Sequence, residues 1–337
     1  MRIAIHDRSD SFSERWIYYC KKRGLDYTIV NAYSSDIVHQ LSDCDVFMWH
    51  PSHGDYRDVL FAKQLLFSLE TSGIVVFPNF RTGWFFDDKV GEKYLLESFA
   101  APMVPSYVFY TKEDAYTWIN STTFPKVFKL RCGAGASNVK LVHNAKEAHR
   151  IVRKAFSSGF PQFDRFGYLK DRFVKWRQGT DTFLGVLKGI GRLFIPTSYS
   201  RMHAPEKGYV YFQDFINNND YDIRVIVIGN RAFSIKRMTR KNDFRASGSG
   251  RMVYEKSQLN EDSVRVAFQV AQELHCQCMG FDFVFDDGQP LIVELGFGFS
   301  VHGYDNCQGY WTNDLCWHPG MFNPQEWMIQ DLIDSIQ

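Results

Sequence analysis

A chain of 337 residues with 45% hydrophobic and 23% charged residues has the make-up of a globular protein, and it is long enough for two or three subdomains. Its net charge of +1 gives no overall field for nucleic acid or for a membrane, although "KDRFVKWR" (170–177) and "KRMTRK" (236–241) are locally basic, which suits a small anionic ligand. Seven cysteines without a framework spacing argue for a reducing compartment, and no apolar run suits a signal peptide or a membrane span, so a cytoplasmic protein is expected.

The first eighty residues alternate strand and helix: "RIAIHD", a helical stretch from Ser13 to Arg23, "DYTIV", "DVFMWH", the helical stretch "DVLFAKQLLFSLE" and "IVVFPN". This order predicts a parallel sheet covered by helices. Ligands of such sheets bind beyond the carboxyl ends of the strands, where "HDRSDSF" and "HPSHGD" lie. His50 and His53 in the second turn read as metal ligands, substrate contacts or ordinary loop histidines.

A capped helix over 87–100 opens a new unit. It continues with "PMVPSYVFY", the helix "KEDAYTWIN", the strand "FPKVFKL", the loop "RCGAGASN", the strand "VKLV" and the helix "NAKEAHRIVRKAF". Two helices on a small sheet predict an α+β subdomain. Residues 159–202 have helical stretches, but glycines interrupt any long one. Strands dominate from Tyr209, in "YVYFQDFI", "DIRVIVIGN" and "RAFSIKRMT", before a long helix over 261–275.

After that helix, "MGFDFVFDDGQPLIVELGFGFS" (279–300) reads as two strands joined by an Asp286-Asp287-Gly288 turn. Asp282 and Glu294 stand among their apolar residues, where a charge is costly without a partner. Upstream, "KLRCGAGASN" leaves a strand with Lys129 at its end, and glycines such as Gly133 and Gly135 let backbone N–H groups approach phosphate oxygens. Alone this is weak, since Gly-rich turns between strands are usually only turns. A lysine on such a loop, an arginine cluster and two strand-borne carboxylates together suit a nucleoside triphosphate with magnesium, which prefers carboxylates plus phosphate oxygens. Magnesium is then the partner expected for Asp282 and Glu294. The alternative is a buried ion pair with Arg237 or Arg245.

The order of these motifs resembles the ATP-grasp superfamily, and within it the RimK-like carboxylate–amine ligases, over roughly residues 85 to 300. Lys89 in "DDKVGEKYLL" and Lys129 in "FPKVFKL" match the family's two phosphate-contacting lysines, the second beside a glycine-rich lid. "FQDFI" matches the hinge strand that holds adenine, through Gln213 and the backbone of Asp214, Phe215 and Ile216. Asp222 sits where the family has an acidic ribose contact, and Asp282 and Glu294 match the metal ligands. The family commonly has Asn as a further magnesium ligand where this chain has Gly296, so water, another residue or a single metal is implied.

The resemblance implies an ATP-grasp fold of α/β and α+β parts. An N-terminal parallel α/β domain would span 1–85, a lid subdomain 86–208 and a C-terminal subdomain 209–337. An insertion near 160–202 would close over an acceptor, form a homodimer contact or be purely structural. The implied reaction phosphorylates a carboxylate with ATP and magnesium, and an amine then attacks the acylphosphate. Cations around the transferring phosphoryl group and the attacking carboxylate would be Lys129, Arg237, Arg224 and Arg245. His50, His53, His302 and Tyr304 are the acceptor candidates. The tail's Tyr, Trp, His and Asn residues suit a sugar or ring substrate, or else an aromatic cap on the core. A weaker resemblance to surface-polysaccharide enzymes points to a uronic-acid-type carboxylate. A small-molecule kinase and a nucleotide-binding module without turnover are the alternatives.

Overall fold

The computed structural model describes residues 1–133, 138–162, 165–177, 182–195, 201–240, 243–246, 248 and 250–336. Strands β1 (Arg2–His6), β2 (Asp26–Val30), β3 (Val46–Met48) and β4 (Val75–Phe77) form a parallel sheet in the order β2-β1-β3-β4. Alternate residues face opposite sides. Ile3, Ile5 and Met48 meet helix Ser13–Arg23 through Trp16, whereas Ala4 and Phe47 meet helix Tyr56–Thr71 through Leu65 and Leu66. Both faces are therefore covered, as a parallel sheet requires.

Strands β5 (Ser106–Phe109), β6 (Lys126–Lys129), β7 (Lys140–Val142) and β8 (Val210–Asp214) form a small antiparallel sheet in the order β5-β8-β6-β7. Helices Lys112–Ser121 and Ala145–Ala155 pack on it, with Ile119 and Val152 against Phe128 and Phe212.

The third sheet has β9 (Tyr221–Ile228), β10 (Arg231–Met238), β11 (Met252–Val253), β12 (Cys278–Asp286), β13 (Gln289–Gly296), β14 (Gly309–Thr312) and β15 (Trp317–Pro319). They lie in the antiparallel order β13-β12-β9-β10-β14-β15, with β11 beside β10. The β12–β13 turn has positive φ at both central residues, 45° at Asp287 and 83° at Gly288, the backbone that a two-residue hairpin favours. One face, with Val225, Phe281 and Phe283, packs under helix Glu261–Leu274. On the other face Ile226, Ile228 and Phe233 meet the amino-terminal sheet and helix Pro324–Ile336. The part of that second face left uncovered becomes the floor of a cleft.

β13 lies at the edge of its sheet, and the segment after helix Lys89–Ser98 covers it. Val104 N donates to the Ile292 carbonyl at 2.9 Å, and Ile292 N donates to the Pro102 carbonyl at 2.8 Å. The chain then enters β5, so covering the edge also ties the small sheet to the large one.

Two regions differ from the sequence-based expectation. Within 159–202, Gly185, Gly189 and Gly191 lie inside helix Phe183–Phe194 rather than breaking it. A Cβ on Gly189 would come within 2.9 Å of Leu169 Cδ1, so its absence lets this helix pack closely on helix Arg165–Arg177. The tail supplies β14, β15 and helix Pro324–Ile336, and its aromatics are largely core. Trp311 is buried, and Phe322 stacks on Trp327 with ring centroids 4.9 Å apart. Among the described residues no helix is long and apolar enough to cross a membrane. All seven cysteines are free.

Candidate active site

A cleft of about 430 Å3 lies between the small sheet and the uncovered face of the large one. The strand registers assemble its floor. Ile235, Arg224, Asp282 and Glu294 stand in one cross-strand row over β10, β9, β12 and β13, and Arg237 pairs with Asp222 in another. A bulge in β13 makes Val293 the extra residue, because Asp282 pairs with Glu294 while Phe283 pairs with Ile292. The Val293 carbonyl accepts hydrogen bonds from Lys129 Nζ at 3.4 Å and Gln213 Nε2 at 3.3 Å, both from the small sheet.

Glu294 is the carboxylate most open to the cleft, with its side chain 35% exposed. Lys89 Nζ stands 3.1 Å from Glu294 Oε1 and donates to the Gly133 carbonyl at 2.7 Å. Burial would lower the Lys89 ammonium, but Glu294, Glu92 and Asp87 hold it above its ordinary range. Burial would raise the Glu294 carboxyl, and Lys89 and Lys129 outweigh it, so Glu294 stays ionised. Among the described residues no carboxylate is within ion-pair distance of Lys129, and burial draws its ammonium below the usual value. Such a cation gains most from an incoming anion.

Asp282 pairs with Arg237 at 2.8 Å and Arg224 at 3.4 Å. Arg237 also holds Asp222 through two bonds of 2.7 Å. Burial pushes Asp222 up to about 6, whereas the two arginines outweigh burial at Asp282 and keep it below the carboxylate range. Arg245 reaches the cleft in a paired state, with its guanidinium on Asp243 at 2.7 Å.

The phosphate-loop candidate Gly133 lines the cleft at φ 108°, which only glycine adopts readily, and its N–H donates to Asp87 Oδ1 at 2.7 Å. Gly135 lies outside the described residues. Gln213, Asp214, Phe215 and Ile216 line the far end of the cleft. Gln213 is buried, and its amide is held by Ser106 Oγ and the Val293 carbonyl.

Of the four acceptor candidates, His53 and Tyr304 line the cleft. His53 Nδ1 is 3.1 Å from Asp87 Oδ1. His302 is exposed outside the cleft beside Asp305 and Arg15, because the turn after β13 directs Tyr304 inward instead. His50 does not line the cleft either. It is buried, stacks on Phe12 at 3.6 Å, and accepts the Phe12 N–H at Nδ1.

Burial lowers His50 to about 3 from its ordinary 6.5. The unfolded ring therefore takes up a proton below 6.5 that the folded ring refuses, so this stability is complete above 6.5 and is lost as pH falls toward 3. Urea unfolding should show about 2 kcal/mol lost at this residue between pH 7.5 and 5. His50→Asn keeps an acceptor for the Phe12 N–H and should flatten that slope; an unchanged slope rejects the assignment.

Glu92 and Asp87 belong to the cleft but were not among the sequence candidates. Glu92 stands three residues after Lys89, one helical turn on the same face, and that spacing was the available signal. It accepts the Leu295 N–H at 3.1 Å, and burial pushes it up to about 8.

Two carboxylates in one cross-strand pair, one partly open to the cleft, fit a magnesium ion that takes its other oxygens from a nucleotide and water. Asp282 Oδ1 is buried and among the described residues accepts no hydrogen bond, its ion-pair contact being Arg224 at 3.4 Å, so it keeps room for a further cation. Among the described residues no third His, Cys, Asp or Glu joins them in a metal-holding group, so phosphate oxygens are needed to complete the shell.

Residues 198–309 match the RimK-like ATP-grasp domain family. No curated protein matches the chain in sequence. Among solved structures it is similar to a D-cycloserine synthetase, with TM-score 0.62, 11% identity and 100% of each chain covered. It is also similar to a RimK domain ATP-grasp protein from Sphaerobacter thermophilus, with TM-score 0.55, 16% identity and 99% of each chain covered. A D-alanine–D-alanine ligase from Bacillus anthracis complexed with ATP gives TM-score 0.55 at 14% identity, again covering 99% of each chain.

Proposed function

We propose that this chain, which has the ATP-grasp fold and matches the RimK-like ATP-grasp domain over residues 198–309, is an ADP-forming ligase that joins a small carboxylic acid to an amine. The observation that carries the reading is the convergence of Lys89, Lys129, Asp282 and Glu294, from four separate elements, in one cleft beside a hinge strand. Solved neighbours of this fold are complexed with ATP and with MgADP.

In this reading adenine lies against the backbone of Asp214–Ile216, and Lys89 and Lys129 hold the phosphates. Asp282 and Glu294 hold magnesium, which when bound neutralises charge on the phosphate oxygens. The acid's carboxylate oxygen attacks the γ-phosphorus, the bond to the bridging oxygen breaks, and ADP leaves with the electron pair. The amine nitrogen then attacks the acyl carbon, the bond from carbon to the phosphate oxygen breaks, and phosphate leaves as the nitrogen loses a proton. Arg224 and Arg237 face the region where both anions gather, and their charge resists the repulsion between carboxylate and triphosphate. Phe299 and Tyr304 are rings after Glu294 that line the cleft, which suits a ring-bearing acid, and a uronic-acid-type carboxylate is the acid we favour.

Incubation with ATP, magnesium and a panel of acids, uronic acids included, and amines should give ADP and a new amide by mass spectrometry. ADP formation that needs no amine, with the phosphoryl group retained on a hydroxyl of the product, would indicate a kinase, and ATP binding without ADP under all pairings would indicate a module without turnover. Gly296 permits a finer test. A Cβ there meets no heavy atom within 4 Å, so the backbone has room to start the asparagine side chain that the family commonly supplies. Gly296→Asn should lower the magnesium concentration for half-maximal rate roughly tenfold. An unchanged magnesium dependence places the ion elsewhere.

A further inference from the structure

The basic run "KDRFVKWR" is not part of the cleft: among the described residues, none from the hairpin of helices Arg165–Arg177 and Phe183–Phe194 lines it. Lys170, Phe173, Trp176 and Arg177 of this run are exposed, which does not suit a small anion held by converging donors. The second helix has three distinct sides. Gly185, Val186 and Gly189 are buried, Gly189 against Leu169 of the first helix. With 3.6 residues per turn, Phe183, Leu184, Leu187 and Ile190 share another side, and they are 55%, 67%, 46% and 44% exposed. Lys188 and Arg192, one turn apart and exposed, run along the edge of that apolar stripe.

The first helix extends the same surface. Phe173 and Trp176 are 44% and 39% exposed, their ring centroids lie 5.7 Å apart, and Trp176 lies 5.6 Å from Phe183 on the second helix. Lys170 and Arg177, exposed, flank Phe173 at helical spacing. Residues 165–195 hold seven Lys and Arg and two Asp, a net of +5 in a chain whose total is +1. An apolar aromatic stripe bordered by cations therefore projects from a protein that is otherwise net acidic.

A continuous exposed apolar surface of this kind marks a docking site. A second copy docking through the same hairpin would set +5 against +5, a like-charge contact that opposes association. Leucine, phenylalanine and tryptophan beside lysine and arginine are the residues that enter the boundary between lipid headgroups and acyl chains, while the cations meet anionic headgroups. We propose that this hairpin docks the protein on an anionic membrane surface, with Trp176, Phe183, Leu184 and Leu187 inserted and Lys170, Arg177, Lys188 and Arg192 on the headgroups. The docking leaves the cleft free to work.

Co-sedimentation of the full chain with vesicles tests this. The protein should bind vesicles of mixed phosphatidylcholine and phosphatidylglycerol, and bind phosphatidylcholine alone roughly tenfold or more weakly. Leu184→Asp/Leu187→Asp and Lys188→Gln/Arg192→Gln should each weaken binding to the mixture by about tenfold or more, with the thermal unfolding midpoint unchanged because all four positions are exposed. Absent binding to the mixture, equal binding to both vesicles, or variants that bind like the parent overturn the proposal. So does a concentration-dependent dimer, or capture of an acidic protein, that Leu184→Asp/Leu187→Asp abolishes while vesicles remain unbound.

Discussion

Glu294→Gln should lower ADP formation by at least about 100-fold, the scale on which removal of a preorganised charge contact slows a reaction. The substitution keeps the size of the side chain and its place on β13, where packing is apolar and independent of the carboxylate. Lys89 keeps its bond to the Gly133 carbonyl and its proximity to Glu92, so the loop entrance stays anchored. What disappears is the negative charge between the two lysines and the oxygen offered to magnesium. The unfolding midpoint should therefore stay close to that of the parent while turnover falls. ATP affinity measured in the presence and absence of magnesium separates the causes: the magnesium-dependent part of binding should be lost. A variant that keeps near parental ADP formation at saturating magnesium would remove Glu294 from the metal site, and the assignment of Asp282 beside it would fall too.

The strands and helices of the amino-terminal sheet and of the hairpin around Asp287 were legible because burial imposes a period on them. "DYTIV" and the helix from Ser13 to Arg23 end at the residues expected, and the Asp-Gly turn needs a backbone that those residues favour. The tail was not legible in the same way. Its strands run only four and three residues, and its aromatics pack against Phe233 from separate segments, a contact with no local period. The helix from Phe183 defied its glycines because their value lies in a neighbour, Leu169, which the local sequence does not announce. The cleft divides similarly. Residues whose charge is conspicuous in an apolar strand, Asp282 and Glu294, could be singled out, and the two lysines stand at element ends. Pairing was read only in part: of the two arginines weighed as an alternative partner, strand register brings Arg237 and not Arg245 to Asp282, and shares it with Asp222. His302 was placed by nearness in sequence to β13, but the turn after it brings Gly303 and Tyr304 to the cleft and leaves His302 exposed outside it. Local charge near 170–177 was visible as well, yet only the hairpin shows that it borders an exposed apolar stripe rather than a pocket.

Arg237→Met should destabilise the fold by about 3–5 kcal/mol at neutral pH, the cost of leaving buried carboxylates without their cation. Arg237 is nearly buried and holds two of them, with paired bonds to Asp222 and one to Asp282. Methionine fills much of the volume, so the loss is electrostatic rather than a cavity. Asp282 retains Arg224, but only at 3.4 Å, and among the described residues Asp222 keeps no ion-pair partner. The pH dependence carries the sign of the argument. Asp222 already sits at about 6 because burial outweighs its arginine, above its ordinary 3.8. Removing the guanidinium raises Asp222 further and raises Asp282 as well. A carboxyl with a folded value above its unfolded one costs stability as pH rises from the unfolded value through the folded one. The gap between variant and parent should therefore widen from pH 5 to pH 8, as both carboxyls are forced to ionise in a site that has lost its best-placed cation. Urea unfolding across that range measures the gap directly. Adding Asp222→Leu to Arg237→Met should recover a large part of the loss, since removing both charges of a buried pair costs far less than removing one. A variant within about 1 kcal/mol of the parent at pH 7.5, the scale of an exposed pair, would mean that water rather than Arg237 solvates these carboxylates. The floor of the cleft would then be held by its strands alone.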